Sequence, residues 1–317
     1  MKGVNHILLK KLSTIVFLAI AVFSFGQIDK TDTTAVVIAH WKMNEAQMFR
    51  VTETTNTTES EKVISSKSIF YDLSIKVIDS TQIGYLLEWK RQNYEITSED
   101  DFAKSLLKMT EDIPFWITTD EFGSSLQVLN WEDVSNEIKS RAEKLKEANK
   151  DFPERLKKLN KTIRQASTKA SVEMIMIPDA LQFLAFHGAK YKFDERIDLQ
   201  VKVPNNFGGD PLDANSTMIM DQINFTQGTF IIRSSQRINP HQLTAVTYDY
   251  LSSLNIVEGE LPPFEKFPKI TKLIWGGSEI HGNSGWPIYS IETKQTNNDI
   301  LVTVEERSIE LVRDTEK

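Results

Sequence analysis

The strongest constraint on this chain is the regular alternation of apolar and polar side chains over residues 69–77. Every odd-numbered position in this range is apolar, and the even-numbered positions after Phe70 are polar. Successive side chains of a β-strand point to opposite faces of a sheet, so this period of two predicts a strand with one buried face. A second alternation over residues 85–89 follows a short turn near Ser80 and Thr81. The two segments together predict an antiparallel hairpin.

Further strands are predicted on both sides of this hairpin. Two precede it, at residues 35–42 and 47–54, and a second hairpin is predicted from residues 114–117 and 126–129. Six more strands lie in the last part of the chain, at residues 191–203, 217–225, 229–237, 271–276, 287–296 and 300–311. In the middle of the chain the apolar residues recur at helical spacing instead. One helix is predicted to begin near Ser98 and a long one after Asn130. A third is predicted to begin at Pro153, and a short one lies between Pro178 and Gly188.

The order of these elements predicts the fold class. Strand-rich segments, residues 35–97 and 189–317, flank a helix-rich segment, residues 98–188. We expect an α+β fold in which both ends build a large curved antiparallel sheet and the central helices pack on one face. The chain has no cysteine, so an apolar core must supply its stability. Residues 27–317 are long enough for that core and are expected to form a single domain.

The first 26 residues match the three parts of a secretory signal peptide. Three lysines make a basic start, residues 15–23 are uniformly apolar, and small residues stand at Ser24 and Gly26. The apolar run is too short to cross a membrane, which needs about 20 residues. We therefore expect export, with a mature chain from Gln27 that is periplasmic or extracellular. A lipid anchor is not expected, because the mature chain has no cysteine to carry one.

The charge of the mature chain narrows the choice of partners. Removing the three lysines of the signal peptide takes the net charge from −7 to −10. Nucleic acid and anionic membrane surfaces attract basic proteins, so neither is an expected partner.

One segment resembles a catalytic motif but lacks the residues that accompany that motif in active enzymes. Residues 282–287 are similar to the nucleophile loop of trypsin-like proteases, with Ser284 at the place of the nucleophile. Trp286 stands where that family has a small residue, and His40 is too far from Ser284 in sequence for that fold. We interpret this segment as a glycine-rich turn that enters a strand, and we expect no enzymatic activity.

Metal and cofactor sites are not predicted either. Acidic and amide residues gather in two places, the loop positions Asp210, Asp213, Asn215 and Asp221 and the adjacent pair Glu305 and Glu306. The loop residues do not have the spacing of an EF-hand calcium loop. Glu305 and Glu306 are neighbours on a predicted strand, so their side chains point to opposite faces and cannot share a site. The histidines lack zinc-binding spacing, and no phosphate-binding glycine motif is present in the sequence. We therefore predict no catalytic residue, no metal and no cofactor.

The short helix after Pro178 carries the candidate ligand-binding residues. They are Leu181, Phe183, Leu184 and Phe186, which leave this helix almost no polar face. A helix that is apolar nearly all round is buried in a core or lies against a lipid-like ligand. The sequence therefore predicts a non-enzymatic binding protein for an apolar or lipid-like ligand. The alternative is a cell-envelope interaction or assembly factor with no small-molecule site.

Two resemblances accompany these predictions. Residues 23–27, Phe-Ser-Phe-Gly-Gln, look like the signal ends of uncharacterised exported proteins of Gram-negative bacteria. The order of strands and helices is loosely similar to that of lipoprotein-carrier-like half-barrels, in which a curved sheet grips helices over an apolar cavity. The second resemblance implies a lipid-like ligand only as an expectation, since a shared fold does not fix function.

Overall fold

The computed structural model describes residues 28–81, 84–120, 122–124, 126–205, 207–254 and 261–313. The predicted signal peptide and its cleavage position before Gln27 lie outside the described residues.

The described strands form two antiparallel sheets. Their bounds are β1 Ile28–Asp29, β2 Thr34–Val36, β3 Ala46–Glu59, β4 Lys62–Thr81, β5 Gly84–Ile96, β6 Phe115–Asp120, β7 Gln127–Val128, β8 Lys190–Lys192, β9 Arg196–Val203, β10 Leu212–Asn224, β11 Thr229–Ile238, β12 Thr271–His281, β13 Pro287–Asn297 and β14 Leu301–Leu311. The larger sheet has 11 strands in the spatial order β7-β6-β5-β4-β3-β14-β13-β12-β11-β10-β9. The smaller sheet has the order β1-β2-β8. Pairing of β14 with β3 joins strands from the two ends of the chain.

Most helices come from the middle of the chain. Their bounds are α1 Asp101–Leu107, α2 Trp131–Ala148, α3 Pro153–Gln165, α4 Lys169–Met176, α5 Pro178–Phe183 and α6 Pro240–Leu254, with 3-10 turns at Lys108–Thr110 and Phe264–Lys266. The predicted α+β class and the large antiparallel sheet are confirmed.

The alternation in β4 produces the main core. Its odd-numbered residues Tyr71, Leu73, Ile75 and Val77 are at most 2% exposed. They cluster with side chains of α2, α4 and α5, namely Val134, Ile138, Val172, Met176, Ala180 and Phe183. We call the face of the larger sheet that makes these contacts the helix face, and the opposite one the reverse face. The period of two therefore predicted correctly which side chains of β4 are buried.

Several strand boundaries differ from the sequence prediction, and two of the differences change how the chain is connected. The sequence predicts one strand over residues 35–42, but β2 ends at Val36. The backbone beyond it bonds to two separate loops, since Val37 N donates to Ala189 O and His40 N to Ser284 O. Likewise, the strand predicted over residues 191–203 is divided into β8 and β9, which belong to different sheets.

Local hydrogen bonds also correct the helix boundaries. Asp100, not Ser98, caps α1, because its carboxylate accepts from Phe102 N at 3.0 Å. Asn130 precedes α2, but its side chain accepts from Trp116 N instead of capping the helix. Pro153 stands in the first turn of α3, as predicted. The apolar stripe that follows it is broken where Thr168 caps the separate helix α4.

Candidate functional site

The four predicted ligand-binding residues lie in different environments. Phe183 is 1% exposed and belongs to the main core. Its ring meets those of Phe49 and Trp89 edge-on, with centroids 5.1 and 5.6 Å away. Leu184 is 5% exposed and lies in the same cluster. These two residues are therefore packed against protein in the structure.

Phe186 and Leu181 lie elsewhere. Phe186 packs in a second cluster under β10 and β11, where its ring centroid is 6.5 Å from that of Tyr191. Leu181 is 60% exposed at the surface. The structure thus brings Phe183 and Leu184 together but separates them from the other two. Their role in ligand binding stays a prediction.

Helix α5 is held on the helix face by a buried charge that the sequence reasoning missed. Asp179 is 0% exposed, and Tyr71 Oη and Arg91 Nε donate to its two oxygens, each at 2.8 Å. Arg307 Nη1 donates to the same carboxylate at 3.3 Å. Burial opposes the charge of Arg91, but the Asp179 carboxylate raises the pKa of Arg91 above its ordinary value. Burial and the same carboxylate raise the pKa of Tyr71 well above its usual range.

A second buried polar residue extends this network. Gln182 Nε2 donates to the Arg307 backbone oxygen at 2.9 Å, and Arg307 Nε donates to Gln182 Oε1 at 2.7 Å. Gln182 also reaches Ser290 Oγ at 3.4 Å. The sequence signal was the presence of two polar residues, Asp179 and Gln182, one turn apart in an otherwise apolar helix. Such residues are buried only with partners, so this network anchors the helix.

A polar cavity of about 270 Å³ opens beside this network, below Pro178. Its charged walls pair with one another. Arg307 lies 3.8 Å from Glu53 and 3.7 Å from Glu292, and Lys294 lies 2.7 Å from Glu292. A ligand would have to displace these ion pairs, which makes the cavity a weak candidate for a binding site.

The protease-like segment is a turn between β12 and β13, as predicted. Ser284 Oγ lies 2.8 Å from His281 Nδ1 and accepts from Trp286 N at 3.3 Å. His40 approaches Ser284 only through its backbone N–H. Trp286 is 3% exposed, and its Nε1 donates to Glu45 at 2.7 Å. These bonds fix the turn and give Ser284 a structural role.

An apolar groove lies on the reverse face of the larger sheet. Gly277 in β12 pairs with Arg233 in β11 and with Ile291 in β13. Gly277 forms part of the floor of this groove, and a Cβ there would lie in ordinary van der Waals contact, 3.6 Å from Ile232 O and 3.9 Å from side-chain carbons of Arg233 and Ile291. The resulting groove has a volume of about 380 Å³. Its walls include Thr217, Ile219, Arg233, Ser235, Trp275, Ile291 and Thr293.

The register of β12 explains why this groove faces away from the helices. Ser278 Oγ bonds Ser290 Oγ, the same hydroxyl that Gln182 of α5 reaches. Ser278 therefore points to the helix face, and its neighbour Gly277 points to the reverse face. Trp275 shares that direction and is 40% exposed. The sequence signal was the Trp-Gly-Gly run, since glycine inside a strand marks a place where something approaches the backbone.

Metal-binding side-chain clusters and membrane-spanning helices were also sought among the described residues. In the parts of the chain that the structure describes, no group of three or more His, Asp or Glu side chains is placed to hold a metal ion. The described helices also include none that is long and apolar enough to span a membrane.

Comparisons with known proteins give a structural likeness but no sequence match. No protein-family model and no curated protein matches the sequence. Among solved structures, the chain is similar to one described as showing lipid–protein interactions in lipovitellin. The TM-score is 0.46 and the sequence identity is 7%. The similar region covers 86% of this chain and 26% of that chain. The chain therefore spans about a quarter of the length of lipovitellin.

Proposed function

We propose that this protein is a non-enzymatic binding protein that takes an apolar ligand in the groove beside Trp275. The observation that supports the proposal is the groove that has Gly277 in its floor and Trp275 and Ile291 in its walls. Its volume of about 380 Å³ lies within the range of small-molecule sites, roughly 300–1,000 Å³. The signal peptide predicted from the sequence places this function after export, in the periplasm or outside the cell.

The driving force is the removal of apolar surface from water. Ile219, Trp275 and Ile291 are all at least partly exposed on the reverse face. A ligand that covers about 100 Å² of such surface gains roughly 2.5 kcal/mol. Because Gly277 has no side chain, the ligand can lie against the strand backbone and contact these walls at once. This site differs from the one predicted from the sequence, at Leu181 and its neighbours.

A second candidate function has one observation in its favour. The hairpin tips at β3–β4 and β13–β14 expose the apolar side chains of Val63, Ile64 and Ile300, each more than half accessible. Pairing of Leu301 with Glu59 brings the two tips side by side. Exposed apolar patches commonly mark contact surfaces, so this tip favours an envelope interaction or assembly factor.

Filling the groove tests the apolar-ligand proposal. Gly277→Val should block it, because the added methyl groups project from the floor into the groove while valine suits a strand. The control is Ser74→Val in β4, which places the same side chain on the reverse face outside the groove. We expect the neutral probe N-phenyl-1-naphthylamine to bind the mature wild type and Ser74→Val but not Gly277→Val. Equal binding by all three proteins, or by none, would overturn the proposal.

A further inference from the structure

Strand β9 forms an open edge of the larger sheet. It is the last strand in the 11-strand order and pairs with β10 over its whole length, from Arg196 to Val203. None of the other described strands pairs with its outer side. The strand at the opposite end of the sheet, β7, has only two residues. The backbone N–H and C=O groups on the outer side of β9 can therefore bond to a strand of another chain.

Strand β9 also lacks three features that commonly protect such an edge. Natural edge strands are often very short, carry a bulge or contain proline, and each of these hinders pairing with another chain. The register of β9 against β10 continues without a shift over eight residues, and Pro204 follows the strand instead of interrupting it. Leu199, in the middle of the strand, is 42% exposed. This edge is therefore suited to pairing.

The side chains of β9 on the helix face are apolar. They belong to Ile197, Leu199, Val201 and Val203. Val201 and Val203 pack against α6, and Ile197 joins the second cluster under β10 and β11. Leu199 lies between these two contacts and stays exposed. A strand added at this edge is stabilised if it places an apolar side chain opposite Leu199.

The side chains of β9 on the reverse face carry charges of both signs. The Asp198 carboxylate accepts through Oδ1 from Arg196 Nε at 2.9 Å and from Thr217 Oγ1 at 2.7 Å, and no described residue donates to its Oδ2. Lys202 Nζ pairs with Asp213, which leaves two of its three N–H groups. An acid and a base four residues apart can therefore each bind a further partner of opposite charge.

We propose that β9 pairs antiparallel with β9 of a second copy of this chain, with Gln200 opposite Gln200 of the partner subunit. Asp198 then lies opposite Lys202 of the partner subunit, and Lys202 lies opposite the partner's Asp198. Leu199 lies opposite Val201 of the partner subunit. Opposite charges and apolar pairs directly across two strands both stabilise a sheet.

The charges of β9 select this register over its neighbours. Centring the pair on Leu199 places Arg196 opposite Lys202 of the partner subunit, and centring it on Asp198 places the two Asp198 side chains opposite each other. Like charges in such positions destabilise the pairing. With Gln200 on the two-fold axis, the helix faces of both copies lie on one side of a continuous sheet and both grooves on the other. The pairing goes beyond the proposed function, because it requires no ligand.

Introduced cysteines test the register, because the natural chain has none. In Gln200→Cys the two Cα atoms of the facing residues are about 4.5–5.5 Å apart, within the range that a disulfide spans. We expect mild oxidation of the mature protein to link most of Gln200→Cys into dimers on a non-reducing gel. Lys202→Cys is the matched control and should stay unlinked, because its counterpart lies about 13 Å away. Equal linking of the two variants, or none of Gln200→Cys, would overturn the proposal.

Reversing one charge tests the pairing without a covalent link. Sedimentation equilibrium of the mature wild type should show a dimer, and Asp198→Lys should raise its dissociation constant about tenfold, because two lysines then face each other at two places. The double variant Asp198→Lys, Lys202→Asp should return the constant towards the wild-type value. Urea unfolding shows whether each variant is folded. A wild type that stays monomeric, or a double variant no tighter than Asp198→Lys, would contradict pairing through β9.

Discussion

Arg91 in β5 and Asp179 in α5 form an ion pair inside the core, with 2.8 Å between Nε and Oδ2. Their side chains are 8% and 0% exposed, and the remaining N–H groups of Arg91 donate to the backbone oxygens of Ile175 and Met176. Removing only one charge of a buried pair leaves the other charge without a partner in a medium of low polarity, which destabilises the fold. The packing of α5 on the sheet therefore depends on both residues.

Asp179→Leu should lower the free energy of unfolding by about 3–5 kcal/mol, because it leaves the Arg91 guanidinium buried and uncompensated. The double variant Arg91→Met, Asp179→Leu should recover much of that loss, since apolar side chains then fill the same space. Urea unfolding of the two variants and of wild type measures this. A single variant as stable as wild type would show that the pair does not hold the helix.

Phe183→Ala should cost about 3–5 kcal/mol of unfolding free energy, the usual result of deleting a fully packed phenylalanine. Leu181→Ala, two residues away in the same helix but 60% exposed, is the control and should change stability little. Urea unfolding of both variants should be combined with titration of N-phenyl-1-naphthylamine. A small loss of stability together with weakened probe binding would instead mean that Phe183 lines a ligand cavity, as the sequence allowed.

Protonation of His187 should destabilise the fold in acid. Burial lowers the pKa of His187 from 6.5 to about 4, although its hydrogen bond to Gly285 O opposes the shift. The unfolded state then takes up the proton first as the pH falls. Stability is therefore complete above pH 6.5 and declines towards pH 4, by up to about 3 kcal/mol.

Urea melts between pH 7 and pH 4 measure this slope. In His187→Gln the decline attributable to this residue should disappear, because glutamine carries no titrating group. His241→Gln, at an exposed position, is the control for the substitution itself. Parallel profiles for wild type and His187→Gln would contradict the prediction.

Export predicts the N-terminus of the mature protein. Since Ser24 and Gly26 stand where a signal peptidase requires small residues, protein from the native host should begin at Gln27. N-terminal sequencing or intact-mass measurement checks this directly. A chain that retains Met1 would remove the argument for a periplasmic or extracellular location.

The buried side chains of the main core could be predicted because they follow periodic patterns within single strands and helices. The alternation around Leu73 identifies a buried strand face without any knowledge of its partners. The partners themselves are not local. Arg91 and Asp179 are 88 positions apart, and no period along the chain connects them. The surroundings of an apolar helix such as α5 also cannot be predicted from its sequence, because apolar side chains pack equally well against a protein core and against an apolar ligand.

The groove was missed for a related reason. The sequence predicts that this strand ends at Gly276, whereas β12 continues to His281. Pairing with β11 and β13 on both sides carries the strand through the two glycines. Only the register of all three strands places Trp275, Arg233 and Ile291 around Gly277. A glycine pair beside a tryptophan was the visible signal, but its meaning depended on residues far away in sequence.

Native mass spectrometry of the mature protein, purified from its host without detergent, tests the central claim most directly. Wild type and Ser74→Val should each retain a small apolar molecule, because the groove over Gly277 is open in both. Gly277→Val should be free of it, since valine fills the same space. A wild-type protein without any bound molecule, or the same adduct on Gly277→Val, would contradict the assignment of this groove as the binding site.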